Sequence, residues 1–209
     1  PEENKLDASC TIQDSIQLRC LTIVNVSRIL GTYQFRRGLF IRRGAFVQES
    51  FSFEPVFDRN SKILILGSFP SVQSRAAGFY YANPQNRFWR VLAAVYQEAV
   101  PETVEEKRTL LLSHGLALWD VLERCEIQGS SDASIRAAVP ARIETVTDCA
   151  DIRRVLVNGG TAAKYYARYL EAKTGIPAVC LPSTSPANAS YRLERLTELW
   201  GKALRAEEA

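Results

Sequence analysis

The sequence predicts an α/β protein, a three-layer α/β/α sandwich with a mainly parallel four-stranded central sheet. Of four short apolar runs, three are followed by glycine, asparagine or proline, which is typical of buried parallel strands that lead into loops. Segments with helical character lie between these runs, and alternating strands and helices favour a parallel sheet covered by helices. The 209 residues, 46% hydrophobic and 23% charged, have the composition of a globular domain.

The four strands are predicted from apolar runs of four to six residues. They are residues 62–66, 116–120, 154–157 and 176–181. A run without polar alternation is expected to be buried on both faces of its sheet. In such a sheet, ligands bind beyond the carboxyl ends of the strands, so the loops that follow the strands are the expected site.

Four helices are predicted between and after these strands. The first begins at Asn83 and Pro84, since asparagine suits the N-cap and proline suits the first turn. Its expected buried face contains Phe88, Val91, Leu92 and Val95. The second begins at Pro101, with acids in its first turn, and ends at a histidine and a glycine, residues 114 and 115. The last two cover residues 161–173 and 187–206.

Residues 1–52 differ from the rest of the chain. Between Arg28 and Arg43 there are five arginines and no acid, without a helical or strand period. The chain contains no methionine, which is consistent either with a fragment or with a reading frame that extends upstream of the natural start. We predict an atypical, poorly structured N-terminal extension over 1–52 and an enzyme domain over 53–209. The alternative for the extension is a basic arm that touches DNA phosphates.

Composition and charge exclude several classes of protein. No window has the roughly 18 apolar residues that span a bilayer, and no signal peptide opens the chain, so an intracellular location is expected. The five cysteines are irregularly spaced and only three lie in 53–209, so we expect no disulfide framework, no metal site and no iron–sulfur cluster or other cofactor. The net charge of +3 allows only a local patch for phosphate binding.

Three loops carry the candidate site residues. In the loop after the first strand and the segment that follows it, the candidates are Gly67, Ser68, Phe69, Pro70, Tyr81 and Asn86. In the loops after the third and fourth strands, they are Asn158, Gly159, Ser183, Thr184, Ser185, Pro186, Ala187 and Asn188. Tyr81 can form the wall of a cavity, and Asn86 can either cap its helix or face the same cavity. Hydroxyl groups and backbone amides at a helix start can bind phosphate.

Together these segments resemble one enzyme family. Gly-Ser-Phe-Pro at 67–70, Phe-Tyr-Tyr-Ala-Asn-Pro-Gln-Asn-Arg-Phe-Trp at 79–89 and Leu-Pro-Ser-Thr-Ser-Pro-Ala-Asn at 181–188 resemble the uracil-DNA glycosylase superfamily. The segments look closest to its hypoxanthine-DNA (deoxyinosine) glycosylase branch. The resemblance runs from Glu54 to Leu204. Phe69 departs from the pattern, because the mismatch-specific uracil and thymine glycosylases carry asparagine there, the usual water-positioning residue.

The resemblance implies a DNA repair enzyme. Such an enzyme flips a deaminated base, hypoxanthine or alternatively uracil, out of DNA and hydrolyses its N-glycosidic bond. Asn86 matches the catalytic asparagine of the hypoxanthine branch, and Tyr81 matches the aromatic residue that stacks on the base. Residues 67–70 would line the base pocket, residues 183–185 would pinch the DNA backbone, and one of residues 186–188 would enter the vacated stack. Asn158 and Gly159 are further expected DNA contacts.

The remaining polar residues narrow the mechanism. None of the six lysines falls in the pocket motifs, so a monofunctional glycosylase without lyase chemistry is expected. His114 is expected to be structural. Asp120 and Asp132 are candidate acids, and Asp132 can either cap a helix or activate water. Arg75, Arg87 and Arg192 are further candidates for phosphate contacts.

Two other functions stay open at this stage. The first is a nucleoside or nucleotide hydrolase on the same architecture, which would need no DNA groove. The second is a module that binds damaged DNA without cleaving it. Under the favoured hypothesis, we expect the protein to bind DNA that contains a damaged base. We also expect it to be a monomer and to bind no membrane.

Overall fold

The structure, a computed structural model, describes residues 47–50 and 53–206. The strands are β1 (Val47–Ser50), β2 (Ile63–Gly67), β3 (Leu116–Asp120), β4 (Leu122–Ile127), β5 (Arg136–Pro140), β6 (Arg154–Asn158) and β7 (Ala178–Leu181). The α-helices are α1 (Val72–Ala77), α2 (Phe88–Tyr96), α3 (Val104–Ser113), α4 (Glu144–Thr147), α5 (Gly160–Tyr169), α6 (Glu171–Thr174) and α7 (Leu193–Leu204). A short 3-10 turn covers Asp132–Ser134.

A parallel sheet with the strand order β3-β2-β6-β7 forms the centre of the fold. All four predicted strands belong to it, so the predicted α/β class and the parallel sheet are confirmed. Leu64, Ile65 and Leu66 of β2 are all fully buried. Because successive side chains of a strand point to opposite faces, both faces of the sheet are covered by other parts of the chain. Among the described helices, none combines the length and the apolar composition that crossing a bilayer requires.

A second sheet, antiparallel with the order β1-β4-β5, was not predicted. Only Val121 separates β4 from β3, and β4 mixes charged with buried residues, so it gives no continuous apolar run. β1 pairs with β4 from Val47 opposite Ile127 to Ser50 opposite Arg124. Four residues of the expected extension over 1–52 therefore form a strand. Its arginine-rich stretch lies outside the described residues, and the boundary at residue 52 stays a prediction.

Two helices begin later in the chain than predicted. α2 begins at Phe88, because the Asn83 side chain accepts a hydrogen bond from the Gln85 backbone at 2.9 Å and closes a turn instead of capping a helix. The predicted buried face of α2 is confirmed. α7 begins at Leu193, so residues 187–192 extend the loop after β7.

The other two predicted helices differ less from the prediction, and α3 begins at Val104, three residues after Pro101. α3 opens with a capping box made by Thr103 and Glu106, and Gly115, with a φ of 63°, follows its end. The helix predicted over 161–173 is divided at Leu170 into α5 and α6.

Candidate active site

A cavity of about 850 Å³ opens at the carboxyl ends of β2, β3 and β6. The last residues of these strands, Gly67, Asp120 and Asn158, all line it. Most predicted site residues also line it: Ser68, Phe69, Pro70, Tyr81, Asn86, Ser183, Ser185, Pro186, Ala187 and Asn188. Thr184 and Gly159 do not. The structure thus brings the three sequence segments together around one space.

Gly67 allows two polar side chains to approach the end of β2. A Cβ atom at this position would lie less than 3.0 Å from both Asp120 Oδ1 and Tyr81 Oη. Both oxygens therefore occupy the space directly beside the Gly67 backbone. A larger residue at this position would displace a carboxyl group and a phenol from the cavity.

Tyr81 forms part of the cavity wall and is held from two sides. Its ring stacks on Phe88, with 4.0 Å between the ring centroids, and its hydroxyl accepts a hydrogen bond from Asn158 Nδ2 at 3.0 Å. The backbone φ of 50° is unusual for a residue other than glycine. Burial raises the pKa of the phenol well above its ordinary value, so the hydroxyl stays protonated. The backbone and both contacts fix the orientation of the ring.

Asn158 ties the loops together instead of presenting a free amide. Its Nδ2 also donates to Thr184 Oγ1, and its Oδ1 accepts from the Thr184 backbone N–H, both at 2.9 Å. Thr184 is fully buried. Gly159, with a φ of 98°, lies where a Cβ would meet Ser183 Cβ at 2.9 Å. The expected DNA contacts at Thr184 and Gly159 are therefore replaced by contacts that pack the loop after β7 on the loop after β6.

Arg87 organises the loop after β7. Its guanidinium donates to the carbonyl oxygens of Thr184 at 3.2 Å, Asn188 at 3.0 Å, Ser185 and Tyr191. The expectation that Arg87 reaches phosphate is therefore not met in this structure, because its N–H groups are occupied by the chain itself.

Arg75 and Arg192, the other two arginines expected to contact phosphate, lie in different surroundings. Arg75 donates to the Pro70 carbonyl at 2.6 Å, and its guanidinium lies 5.7 Å from the centre of the Phe69 ring. Phe69 is buried and gives the cavity an apolar wall. Arg192 is exposed at the start of α7.

Asn86 serves two purposes at once. Its Oδ1 accepts a hydrogen bond of 3.0 Å from the backbone N–H of Phe88, the first residue of α2. The side chain is half-buried and lines the cavity, and no acceptor among the described residues contacts its Nδ2. Asn86 therefore both caps the start of α2 and faces the cavity. The amide is held by its oxygen and keeps its N–H donors for a ligand.

Two carboxyl groups belong to the cavity. Asp120 is only 6% exposed, and burial, with the nearby charge of Asp132, raises its pKa to about 8. Asp132 lies at the exposed rim, where Ser68 Oγ donates to it at 3.0 Å. The surrounding protein raises the pKa of Asp132, while hydrogen bonds from Ser68 and Thr161 lower it, and solvent at the rim limits the effect. Asp132 therefore faces the cavity and does not cap a helix.

Asp132 is a candidate acid from the sequence, but the two serines before it were not predicted to line the cavity. β4 and β5 present residues 130–132 to the cavity, and Ser130 Oγ accepts from the Val72 backbone at 3.0 Å. The serine-rich turn at 129–132 was visible in the sequence, but its link to the cavity depends on the unpredicted antiparallel sheet.

His114 and the three cysteines among the described residues do not line the cavity. His114 Nε2 is 2.6 Å from Glu98 Oε1, its ring stacks on Tyr96, and it does not line the cavity. In the described part of the chain, no three histidine, cysteine, aspartate or glutamate side chains are grouped as metal ligands.

The comparisons with known proteins agree with this geometry. The family model of the uracil DNA glycosylase superfamily matches residues 54–205. The chain belongs to this superfamily. Among similar proteins, a hypoxanthine DNA glycosylase from Methanosarcina acetivorans is 33% identical over 147 residues, covering 70% of this chain and 92% of that protein. A hypoxanthine DNA glycosylase from Methanosarcina barkeri is 33% identical over 115 residues, 54% of this chain and 73% of that protein.

A solved structure shows the same fold. The solution NMR structure of a candidate uracil DNA glycosylase from Methanosarcina acetivorans matches with a TM-score of 0.65 at 32% identity, covering 75% of this chain and 96% of the other.

Proposed function

We propose that the protein is a monofunctional DNA glycosylase that excises hypoxanthine from DNA. The observation that carries the proposal is the arrangement of Tyr81 and Asn86 in one cavity, a fixed aromatic ring beside an amide with free N–H donors. The similarity to two hypoxanthine DNA glycosylases supports hypoxanthine over uracil as the principal target.

Tyr81 is the surface on which the flipped base stacks. One face of its ring packs on Phe88, so the other face is the one that can meet a ligand. An enzyme that acts on a base in duplex DNA must move that base out of the helix and replace the lost stacking. Phe69 adds a second apolar wall. The cavity therefore offers a base the apolar contacts that it loses on leaving the duplex.

Asn86 stabilises the base as it departs. When the C1′–N9 bond lengthens, positive charge develops on the sugar and negative charge on the purine. An N–H donor aimed at the purine interacts more strongly with this charge than with the neutral base, which lowers the barrier. Because Oδ1 is held by the Phe88 backbone, Nδ2 is oriented before the substrate arrives. Water then adds to C1′.

The reaction stops at hydrolysis. Among the described residues that line the cavity there is no lysine, so no side-chain amine is placed to attack C1′. The product is an abasic site in an uncut strand.

The loop after β7 contacts the DNA. Ser183, Ser185 and Asn188 are half-buried at the cavity, and Pro186 and Ala187 are exposed at its edge. Arg87 holds this loop in place through hydrogen bonds to its carbonyl groups. Pro186 and Ala187 are therefore positioned to fill the gap that the flipped nucleotide leaves in the base stack. Arg192 is placed at the exposed end of this loop for a phosphate contact.

A panel of substrates tests the proposal. Purified full-length protein is incubated with duplexes that contain one deoxyinosine, one deoxyuridine or only normal bases, and with free inosine, before alkaline cleavage of abasic sites. We expect strand breaks at deoxyinosine only after alkali and no hydrolysis of free inosine. Hydrolysis of free inosine alone would indicate a nucleoside hydrolase, and binding without cleavage would indicate a damage-recognition module; either result contradicts the proposal.

A further inference from the structure

Asp120 lines the cavity but has no role in the excision step proposed for Tyr81 and Asn86. It is the last residue of β3, lies beside Gly67 and lines the cavity while remaining 6% exposed. No hydrogen bond joins its carboxyl group to a described residue, and since no fully buried side-chain oxygen among the described residues lacks a partner, the carboxyl oxygens are open to the cavity. A buried carboxyl without a partner is costly when charged, so such a group is expected to interact with a ligand.

The groups around Asp120 favour its neutral form. Asp132 faces it from the 3-10 turn, and the hydroxyls of Tyr80 and Tyr81 face it from the segment before α2. The Tyr81 hydroxyl approaches the same point beside Gly67 as Asp120 Oδ1. Burial disfavours the charged carboxylate and raises the pKa of Asp120, and the charge of the neighbouring Asp132 adds to this effect. The pKa of about 8 follows, so Asp120 carries a proton at neutral pH.

We propose that Asp120 is the general acid of the excision reaction and delivers its proton to N7 of the departing purine. This inference rests on the proposed function. Asp120 Oδ1 and the hydroxyl of Tyr81, the residue on which the base stacks, both lie beside Gly67, so the carboxyl belongs to the cavity that holds the base. N7 is the most basic ring nitrogen of a purine nucleoside and shares the five-membered ring with N9, so a proton on N7 neutralises the charge that cleavage of the C1′–N9 bond leaves on the base.

The proton balance of the step is complete. The C1′–N9 bond breaks, and its electron pair passes into the purine ring while the Asp120 proton moves to N7, so hypoxanthine leaves as a neutral molecule. Water adds to C1′ and releases one proton to the solvent. Asp120, now a carboxylate, takes one proton from the solvent and the acid is restored. Asn86 stabilises the negative charge of the departing base, and the proton from Asp120 neutralises that charge.

The variant Asp120→Asn separates proton transfer from hydrogen bonding. Asparagine has the same shape and can donate a hydrogen bond to N7, but it cannot release a proton. In single-turnover assays on a deoxyinosine duplex, we expect excision to fall about 100-fold or more. Binding of a duplex with a cleavage-resistant 2′-fluorinated deoxyinosine should change by less than about threefold. Asp148→Asn, at an exposed carboxyl away from the cavity, is the matched control and should behave as the wild type.

The pH profile gives a second readout. The wild-type excision rate should be constant below about pH 8 and fall about tenfold per pH unit above it, because only the protonated carboxyl can act. Asp120→Asn should show no such decline, and Asp120→Glu should recover part of the rate together with the decline.

Several outcomes would overturn the inference. Excision by Asp120→Asn within about fivefold of wild type, or a wild-type rate that does not decline up to pH 9.5, would show that no proton comes from Asp120. Loss of binding together with excision in Asp120→Asn would assign the residue to base recognition instead. If the wild type excises no hypoxanthine at all, the proposed function itself fails, which is a different result from an active wild type with an active variant.

Discussion

A single side chain, Asn86, combines a structural and a chemical task through its two ends. Its oxygen accepts from the Phe88 backbone and its nitrogen faces the cavity. Substitution by alanine removes both functions, so the loss of activity could not be assigned to either. Substitution by aspartate keeps the acceptor and removes the donor, and therefore isolates the chemical function.

We predict that Asn86→Asp retains the wild-type melting temperature within a few degrees but loses at least 100-fold in single-turnover excision of hypoxanthine. The carboxylate keeps the contact with Phe88 N–H and repels the negative charge that develops on the base. Asn60→Asp, in an exposed turn, is the control. A variant that excises within twofold of wild type would remove Asn86 from catalysis.

Asp120 should also affect stability in a way that depends on pH. Its pKa in the folded protein, about 8, is higher than the value of roughly 3.9 in an unfolded chain. The folded state therefore holds the proton more tightly, and this contribution is complete below pH 4 and is lost as the pH rises towards 8. The free energy of unfolding of the wild type, relative to Asp120→Asn, should fall by at most about 1.4 kcal/mol per pH unit over this range.

Urea unfolding of both proteins from pH 5 to 9 measures this difference directly, because other titrating groups are shared. A difference that is the same at every pH would mean that Asp120 ionises normally in the folded protein.

Among the elements, the loop after β7 shows how a charged side chain can act as a scaffold. Arg87 donates to four carbonyl groups of this loop, and Asn158 holds Thr184 from the other side. Lysine at position 87 keeps the charge but cannot donate to four acceptors in different directions.

We predict that Arg87→Lys lowers the free energy of unfolding by roughly 2–4 kcal/mol and lowers excision at the same time. Arg192→Lys, at an exposed position, should change stability by less than about 0.5 kcal/mol. Chemical denaturation of both variants tests the prediction. Unchanged stability of Arg87→Lys with weaker, salt-sensitive DNA binding would show that Arg87 contacts phosphate instead.

The elements that the sequence predicts correctly are those with one strong local signal. β2 is an unbroken apolar run before a glycine, and the face of α2 repeats with a helical period. Asn83 was misread because an asparagine before proline suits a turn as well as a helix cap. β4 and β5 pair with each other across residues 128–135, but neither was predicted because neither gives a continuous apolar run, and β1, the other partner of β4, lies far away in the chain.

The site residues likewise divide into those that a local sequence motif predicts and those whose role depends on tertiary packing. Gly67 lies in the motif at 67–70, Tyr81 and Asn86 lie in the motif at 79–89, and all three were predicted to belong to the site. Thr184 was expected to face DNA because hydroxyl-rich loops often do, but burial depends on packing against Asn158, which the sequence does not reveal. The approach of Asp132 to Ser68 likewise depends on the second sheet.

For the whole molecule, the start of the domain is the open structural question that an experiment can address. β1 lies within 1–52 and pairs with β4, so cuts before and after β1 should differ. We predict that removing residues 1–46 leaves thermal melting and excision unchanged. Removing residues 1–52 should lower the melting temperature while preserving the fold, because β4 loses the partner on one edge. Loss of cooperative melting on removal of 1–46 would place that segment in the core.

The central claim is that this protein releases hypoxanthine from DNA by hydrolysis and leaves the strand intact. The most direct measurement is chromatographic identification of the product released from a deoxyinosine duplex, together with the length of the DNA strand before alkali. We expect free hypoxanthine in an amount equal to that of the abasic sites, with full-length strands. Release of deoxyinosine or its phosphate, strand breaks that form without alkali, or no released base at all would contradict it.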